Sequence, residues 1–443
     1  MKALTKISIG FLALAAAALW FTSCSSEDVA SGTNQGKMSS LTLTINTGKS
    51  MGSRATDWTD DPVGADKTTT ENKINRITVG IFSDDGNTLR TIVELTPGDG
   101  KKNTFKPETT ATSTSASTTI VTNSLADGDL IKVAVNAPKN HFVGIKKASD
   151  FQAKSEDASV ALLTKADDSQ ETTKEACNNN VPMYGQGTLT PTTPNDNSAF
   201  KVSGDKVTVK HMLAKVSLES LGVDFKAGSA YANAEFTPVA AFLINVPDKM
   251  NFTTDVWKSD AALLHGWSDY SASDPTNCTF NYAAGNAKGS GTYVQYLTTE
   301  GLTSAALSGI ASSRTATSTA KAWFYTLPND KVDNGKDAIT NNTKLVIAGK
   351  FIENKSVTSP TAEMVYYSLP INATYDASSH KYVKPAAGDG KVFQVCPNQY
   401  YKCSVVIRTK GSSSPNTNLT PQEAEIKVEV ANFVEVKQDA EFN

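Results

Sequence analysis

MSSLTLTINTGKSMGSRATDW, residues 38–58, begins with the pattern of a β-strand and ends in a basic segment that contains glycine. Leu41, Leu43 and Ile45 alternate with Thr and Asn, which is the period-2 pattern of a half-buried strand. Residues 48–54 then combine Gly, Ser, Lys and Arg, a composition that tends to be exposed and open to proteases. The stretch therefore predicts a strand that needs a pairing partner and that one cut would separate from the rest of the chain.

Strand patterns recur along most of the chain and predict an all-β protein. The clearest are INRITVGIFSDDGNTLRTIVEL (74–95), which indicates a hairpin around Asp-Asp-Gly-Asn, DLIKVAVNAPK (129–139) and the nearly continuous apolar run TPVAAFLINVP (237–247). A chain of 443 residues is long enough for two or three domains with sizeable cores. Two β-sandwich domains fit the number of strands.

Three segments of the first half do not show a strand pattern. Residues 103–119 are mainly Thr, Ser and Ala, and we expect them to form a solvated loop. Residues 147–163 are the best helical candidate. Residues 181–200 are rich in Pro, Gly and Asn, and we expect a loop that links two domains, with the boundary near residue 205.

The N-terminus has the pattern of a lipoprotein signal peptide. Lys2 and Lys6 precede an apolar run that is too short for a comfortable membrane span and that ends in small residues before Cys24. We expect residues 1–23 to be removed and the Cys24 thiol to be lipidated. The alternative is an ordinary signal peptide followed by an incidental cysteine.

Charge and motif content argue against nucleic acid, cofactors and catalysis. The net charge is −3, and 42 basic and 45 acidic residues are mixed along the chain, so there is no basic stripe for a phosphate backbone. The four histidines are far apart, and none lies in a zinc or nucleophile motif: His141, His211, His265 and His380. PGDGKKNT (97–104) lacks the glycine spacing of a phosphate loop. We expect no enzyme, no metal site and no cofactor.

The cysteines other than Cys24 leave disulfide formation open. They are Cys177, Cys278, Cys396 and Cys403. An exported protein allows them to pair, four cysteines permit three connectivities, and none has metal-ligand spacing. The strand parity of Cys403 with its apolar neighbours favours a buried small hydrophobic residue over a disulfide.

Several stretches together resemble those of the fimbrillins, the shaft pilins of protease-assembled, type V fimbriae of anaerobic Gram-negative bacteria. The likeness is greatest to the major subunit of the short fimbriae. The matching pieces occur in the family's order: the lipoprotein signal ending at Cys24, SLTLTI (40–45), MGSRA (51–55), IKVAVNAP (131–138), VPMYGQG (181–187), VTVKHMLAKVSL (207–218), WFYTLPN (323–329), TKLVIAGKF (343–351), NQYYKCSVVI (398–407) and IKVEVANFVEVKQDAEF (426–442). The chain departs from the family at His211 or Lys210, where an Arg is common, at Pro397 and Asn398, where Arg-Asn is common, and at Phe433, which is often Trp.

The resemblance implies two transthyretin-like β-sandwich domains in tandem, residues 55–205 and 206–425, behind a propeptide of residues 24–54. The propeptide carries a leader strand that fills a groove in the subunit's own sheet. In this sequence its inward residues are Leu41, Leu43 and Ile45. Such a groove needs a filling strand, because an open sheet edge above apolar core is prone to aggregation.

The resemblance also implies a maturation step and a set of partners. An Arg-specific, trypsin-like protease would cut after Arg54 and leave Ala55 as the new N-terminus; the alternative is that Arg54 is an ordinary loop arginine. The partners would be copies of this chain and other fimbrial subunits, with the precursor held in the outer membrane by its lipid and the mature subunit in a cell-surface fimbria. Host or bacterial ligands stay open, and nucleic acid is not expected.

The C-terminal stretch 426–443 alternates over more residues than a typical strand holds. Its even positions include Ile426, Val428, Val430, Val434 and Val436, while most odd positions are charged. One interpretation is a donor strand that enters the emptied groove of the next subunit. The other is a terminal hairpin that packs on the chain's own second domain.

Two further functions are compatible with an all-β lipoprotein. A surface glycan-binding protein would need solvent-facing aromatic side chains, for which Trp257, Trp267 and Tyr270 are candidates. An ancillary or tip subunit of a fimbria is the closer alternative. Arg54 and the long tail together favour a shaft subunit.

Overall fold

The computed structural model describes residues 38–47, 71–109, 114–163, 177, 179–253, 261–266, 293–302, 305–312, 322–330, 341–376, 378–379, 381–386, 388–416 and 424–432. Within these residues the chain consists mostly of β-strands with two short helices, which confirms the all-β prediction. The predicted signal peptide, Cys24, Arg54 and Ala55 lie outside the described residues.

Residues 38–211 contribute eleven described strands and both helices. The strands are β1 Met38–Asn46, β2 Ile77–Phe82, β3 Leu89–Pro97, β4 Thr104–Thr109, β5 Thr114–Asn123, β6 Leu130–Val135, β7 Ser155–Asp157, β8 Met183–Pro191, β9 Ala199–Val202, β10 Val207–Thr208 and β11 Lys210–His211. The helices are α1 Ala148–Ala153 and α2 Ala158–Leu163.

Ten of these strands form one sheet that closes on itself. Its order is β10-β1-β5-β4-β3-β2-β6-β8-β11, and β9 pairs with both β1 and β8. The sheet therefore encloses an apolar core that is separate from the core of the second half. This first core contains Leu41, Leu43, Ile45, Ile77, Val79, Ile81, Phe105, Ile120, Val133, Phe200, Val207 and Val209, among others.

Residues 214–432 contribute the remaining described strands. They are β12 Ala214–Asp224, β13 Glu235–Pro247, β14 Lys249–Asn251, β15 Leu263–Gly266, β16 Tyr293–Val294, β17 Thr298–Glu300, β18 Leu307–Ser308, β19 Ile310–Ser312, β20 Ala322–Thr326, β21 Lys344–Ile352, β22 Ala362–Pro370, β23 Thr374–Asp376, β24 Lys381–Val383, β25 Gln399–Ile407 and β26 Ala424–Asn432.

Two main sheets form in this second half. One has the order β19-β12-β25-β26, with β20 also on β12; the other has the order β16-β15-β13-β21-β22, with β17 and β18 also on β13. Most of their buried side chains belong to one large cluster, which extends to Phe82, Phe151 and Tyr184 of the first half. Five buried residues of β13, β21 and β22 form a separate cluster: Phe242, Ile244, Val346, Ala348 and Tyr366. The chain passes from the first sheet to the sheets of the second half between His211, the last residue of β11, and Ala214, the first residue of β12. The tandem-domain boundaries remain a prediction.

Two sequence predictions are confirmed by the strand pairing. The hairpin at residues 74–95 forms, with β2 and β3 antiparallel and a turn between Ser83 and Thr88. The apolar run at 237–247 lies within β13, which pairs with β21 on one side and with β15, β17 and β18 on the other and is buried along most of its length.

Two segments that were predicted to be loops contain strands instead. Residues 103–119 form β4 and most of β5 rather than a loop; in β5 the small residues Thr114, Ala116 and Thr118 alternate inward with period 2. Residues 181–200 contain β8 and the start of β9. Gly185 of β8 serves a close approach rather than a turn, because a Cβ atom there would stand 2.6 Å from the Thr208 carbonyl oxygen.

The single helix predicted at 147–163 is two short helices separated by a strand. α1 ends at Ala153, and Lys154 has an extended backbone with φ −61° and ψ 121°. β7 then pairs with β14 of the second half, so that tertiary pairing overrides the local helical tendency.

Candidate functional site: the groove that holds the leader strand

The predicted leader strand, β1, is an interior strand of the first sheet. All nine of its residues pair antiparallel with β5, from Met38 opposite Asn123 to Asn46 opposite Ser115. Its other edge pairs in parallel with β9 at residues 40–42 and with β10 at residues 45–46. Both backbone edges of β1 are therefore engaged.

The inward side chains of β1 occupy the centre of the first core. Leu41, Leu43 and Ile45 are each 0% exposed. Burial of a Leu or Ile side chain contributes about 1.5 to 3 kcal/mol, so these three residues contribute roughly 5 to 9 kcal/mol as an upper estimate. The sequence prediction that these three residues face one way is confirmed.

Hydrogen bonds fix both ends of the strand. At the start, the Ser39 hydroxyl donates to the Asn197 carbonyl oxygen at 2.9 Å. At the end, the Thr47 hydroxyl donates to the Thr114 carbonyl oxygen at 3.0 Å and accepts from the Thr114 amide at 3.2 Å. The inward face of the strand thus has three apolar residues in its centre and one polar residue at each end, Ser39 and Thr47.

Loss of β1 would leave a groove between β5 on one side and β9 and β10 on the other. The floor of this groove would be apolar, with Phe105, Ile120, Phe200 and Val207 beneath it. Its two walls would be unpaired strand edges. Such a groove is unstable in water and is a template for another strand.

The C-terminal strand β26 pairs antiparallel with β25 of its own chain, as in the terminal-hairpin interpretation. Ile426 lies opposite Val405, Val428 opposite Cys403 and Val430 opposite Tyr401. The Val428 side chain is 5% exposed and belongs to the large second core. β26 stands at the end of the strand order of its sheet. Val434 and Val436 lie outside the described residues.

A buried ion pair joins the start of the described segment after residue 70 to the second half. Lys215 Nζ lies 2.9 Å from Glu71 Oε1, and both side chains are almost fully buried. The Tyr325 hydroxyl also donates to Glu71 Oε1, and Lys215 Nζ stands 5.0 Å from the centre of the Tyr400 ring. This cluster was not predicted from the sequence, because Lys215 stands between Ala214 and Val216 at an alternating position that is typical of an exposed polar side chain.

The described histidines are suited to packing rather than to catalysis. Burial lowers the pKa of His141, His211 and His265 to about 4, so all three are neutral at neutral pH. His211 Nε2 lies 3.0 Å from the Glu71 carbonyl oxygen. His380 is outside the described residues.

The described cysteines are buried free thiols. They are Cys177, Cys396 and Cys403. Burial raises the pKa of Cys396 to about 12 and that of Cys403 further, which makes them unreactive at neutral pH. The interpretation of Cys403 as a small buried hydrophobic residue is confirmed, since it is 0% exposed. Cys278 lies outside the described residues.

The part of the chain that the structure describes contains neither a metal-binding cluster nor a membrane-spanning helix. There, no group of three or more His, Cys, Asp or Glu side chains is placed to hold a metal ion. Within the same residues, no helix has the length and apolar character needed to cross a bilayer. Trp257, Trp267 and Tyr270, the candidate glycan platform, fall outside that part.

Comparison with known families gives a match to the first half of the chain. Residues 39–219 match the family model described as "Major fimbrial subunit protein (FimA)". The match covers less than half of the chain, and this part of the chain is similar to the FimA family. The matched residues include β1 from Ser39 onward and the other nine strands of the closed sheet, and the match confirms the resemblance to fimbrillins. The family consists of structural subunits rather than enzymes, which agrees with the expectation of no catalysis.

Solved structures share the fold over most of the chain. A fimbrilin from Porphyromonas gingivalis W83 has a TM-score of 0.54 at 16% identity, covering 90% of this chain and 99% of that one. A putative cell adhesion protein from Parabacteroides distasonis has a TM-score of 0.55 at 16% identity, covering 90% and 99%. One from Bacteroides eggerthii has a TM-score of 0.52 at 18% identity, covering 91% and 98%. No curated protein sequence matches the chain significantly. The family match supports a role as a fimbrial subunit at the cell surface.

Proposed function

We propose that this chain is the shaft subunit of a cell-surface fimbria, exported as a lipoprotein, cleaved after Arg54 and polymerised by exchange of β-strands. The observation that carries the proposal is the placement of β1. It is an interior strand of the sheet, yet it precedes Arg54 in the chain, so that one cut turns it into a separate peptide. Lipidation at Cys24 would hold the precursor at the outer membrane until that cut is made.

Under this proposal, β1 fills the groove only until the chain is cleaved. Before cleavage, β1 is tethered to its groove by the chain and has a very high effective concentration there. After cleavage between Arg54 and Ala55, only non-covalent contacts hold it. Another strand with a similar pattern can then replace it, and an Arg-specific, trypsin-like protease would control when this happens.

The C-terminal strand fits the groove in length and polarity. β26 and β1 both have nine residues. When Ile426, Val428 and Val430 take the places of Leu41, Leu43 and Ile45, the small or polar inward residues at both ends also align: Ala424 with Ser39, and Asn432 with Thr47. In this register, the inner face of the inserted strand has apolar residues in its centre and small or polar residues at both ends.

The exchange is favourable in backbone hydrogen bonds. In the subunit described here, β26 has one described strand partner, β25. In the groove of a neighbouring subunit the same strand would have β5 on one edge and β9 and β10 on the other. The strand would lose its one ladder of hydrogen bonds with β25 and gain two ladders, one on each edge of the groove. Each additional hydrogen bond contributes about 0.5 to 1.5 kcal/mol net. Residues 433–443 would extend the inserted tail.

The partners under this proposal are copies of this chain along the shaft and other fimbrial subunits at its ends. The resulting fibre would support adhesion and biofilm formation. This role rests on the family match and on the groove and needs no catalytic group.

Deletion of residues 426–443 tests the proposal. We expect a folded, secreted and Arg54-cleaved subunit that does not polymerise, as measured by size-exclusion chromatography and electron microscopy. A truncated chain that forms normal fibres would rule out the tail as donor, and one that fails to fold would favour the terminal-hairpin interpretation.

A second experiment leaves the acceptor chain intact. A synthetic peptide of residues 424–436 should block polymerisation of the cleaved wild-type subunit by occupying its groove. The matched control is the same peptide with Val428→Asp and Val430→Asp, which would bury unpaired charge and should not block it. Equal effects of the two peptides would contradict insertion of the even side chains.

A further inference from the structure

A cavity of about 370 Å³ lies beside the end of the leader groove. Thr208 connects the two features, because it pairs with Asn46 of β1 and also lines the cavity. The other lining residues come from β8, from β11 and its flanks, from the loop before β25, and from Thr253 after β14. They include Tyr184, Gly185, Lys210, Met212, Cys396 and Pro397.

The loop that forms one wall of the cavity is held firmly. The Nδ2 atom of the buried Asn372 side chain lies within hydrogen-bond distance of three of the loop's carbonyl oxygens, including that of Asp389 at 2.9 Å and that of Gln394 at 2.8 Å. Gln399 Nε2 donates to Asp389 Oδ2 at 3.1 Å, and the Asn398 amide donates to the Leu213 carbonyl at 2.9 Å. The cavity is therefore pre-formed, as a docking socket needs to be.

The cavity opens on the outer face of the first sheet. Val207 and Val209 point into the first core, so that Thr208 and Lys210, which alternate with them, point outward. Asn46 is on the outward-facing side of β1. A strand that fills the groove thus presents its outward side chains toward the cavity where it leaves the groove beside Thr208.

The register of the inserted tail places a specific residue there. A donor that runs in the direction of β1 keeps the nine-residue antiparallel ladder with β5, which is more stable per residue than a parallel one. In that direction, alignment of Ile426 with Leu41 brings Ala431 to the place of Asn46, opposite Thr208. Phe433 then follows two residues later, level with Lys210 and on the outward side.

Phe433 is also the residue that breaks the pattern of the tail. The outward positions from 427 to 441 are charged except for Ala431 and Phe433. A bulky aromatic residue on a face that is otherwise charged needs an apolar contact, because such a ring buries about 150 to 250 Å² when it docks. No inward pocket of the groove accounts for it.

We propose that the cavity is the socket for Phe433 of the neighbouring subunit's inserted tail. This inference rests on the proposed strand exchange and adds the second contact that locks it. The ring would pack against Met212 and Pro397, and Glu435 would lie within reach of the exposed Lys210 ammonium group. The socket would thus bind the part of the tail that lies beyond the leader groove and so fix the register of the inserted tail.

Disulfide trapping in fibres tests the proposal, in a Cys396→Ser background that removes the cavity's own thiol. The pair Lys210→Cys with Phe433→Cys should give a ladder of covalently linked subunits on oxidation. The pair Asn197→Cys with Phe433→Cys, at the opposite end of the groove, is the control and should give none. A ladder from the control pair, or none from the first pair, would overturn the proposal.

A third pair separates failure of the socket from failure of strand exchange. Thr208→Cys with Ala431→Cys reports the register inside the groove. Links at this pair without links between positions 210 and 433 would leave strand exchange intact and reject the socket. Absence of both would reject the exchange in this register and the socket with it.

Fibre stability gives an independent measurement. Fibres assembled from the Phe433→Ala variant should lose subunits about tenfold faster, or more, than wild-type fibres do. The reason is that truncation of a buried aromatic anchor acts mainly on the dissociation rate. Val357→Ala, a truncation at an exposed position between β21 and β22 and outside the tail, the groove and the cavity, should leave the rate near that of the wild type. Equal rates for the two variants would overturn the proposal.

Discussion

Replacement of Leu43 by Ala should destabilise the precursor and leave the mature fibre unaffected. Leu43 is the middle inward residue of β1, is 0% exposed and lies opposite Thr118 of β5. A buried Leu→Ala change costs about 2 to 5 kcal/mol, because transfer energy is lost and a cavity remains. Since maturation removes β1, the cost should fall on the uncut chain alone.

The assay is urea unfolding of purified precursor, compared with dissociation of fibres assembled from the same variant. The matched control is Thr42→Ala, at an exposed position on the outer face of the same strand, which should change the free energy of unfolding by less than about 0.5 kcal/mol. The reasoning is refuted if Leu43→Ala costs the precursor less than about 1 kcal/mol, or if the fibre loses as much stability as the precursor.

Three other predictions concern the buried charges and the lipid. Glu71→Gln should destabilise the subunit by about 3 to 5 kcal/mol in urea unfolding, because it leaves the Lys215 charge buried without its partner, and adding Lys215→Met should recover part of the loss. Burial raises the pKa of Glu156 from 4.5 to about 7, so the stability it contributes is present below pH 4.5 and lost as the pH rises through 7. The advantage of Glu156→Gln over the wild type should therefore grow across that window in thermal unfolding, and a constant difference would contradict the shift. Cys24→Ala should abolish incorporation of labelled fatty acid into the precursor, and a labelled variant would contradict lipidation at Cys24.

The sequence was sufficient to predict strands with large apolar side chains. β1, the β2–β3 hairpin and β13 all carry Leu, Ile or Val at alternate or consecutive positions, and hydrophobic periodicity detects them. The part of β5 within residues 114–119 escaped detection because its inward residues there are Thr114, Ala116 and Thr118, which are not large apolar side chains. β8 escaped because Gly185 resembles a turn residue, although the approach of Thr208 requires it.

Only one part of the candidate site could be predicted from the sequence. The inward face of β1 was predictable because it is a local pattern within nine residues. Its partners were not, because β5, β9 and β10 come from distant parts of the chain and contain few large apolar residues. The pairing of β26 with β25 was one of two open alternatives, since alternation shows that a strand exists and does not show which strand lies beside it.

The most direct test of the account is the N-terminal residue of the protein purified from cell-surface fibres. Edman sequencing or mass spectrometry of that terminus should give Ala55, because the leader strand must be cut away at Arg54 before another subunit's tail can fill the groove. A fibre subunit that begins with lipidated Cys24, or with any other residue that keeps β1 attached, would contradict strand exchange as the basis of assembly.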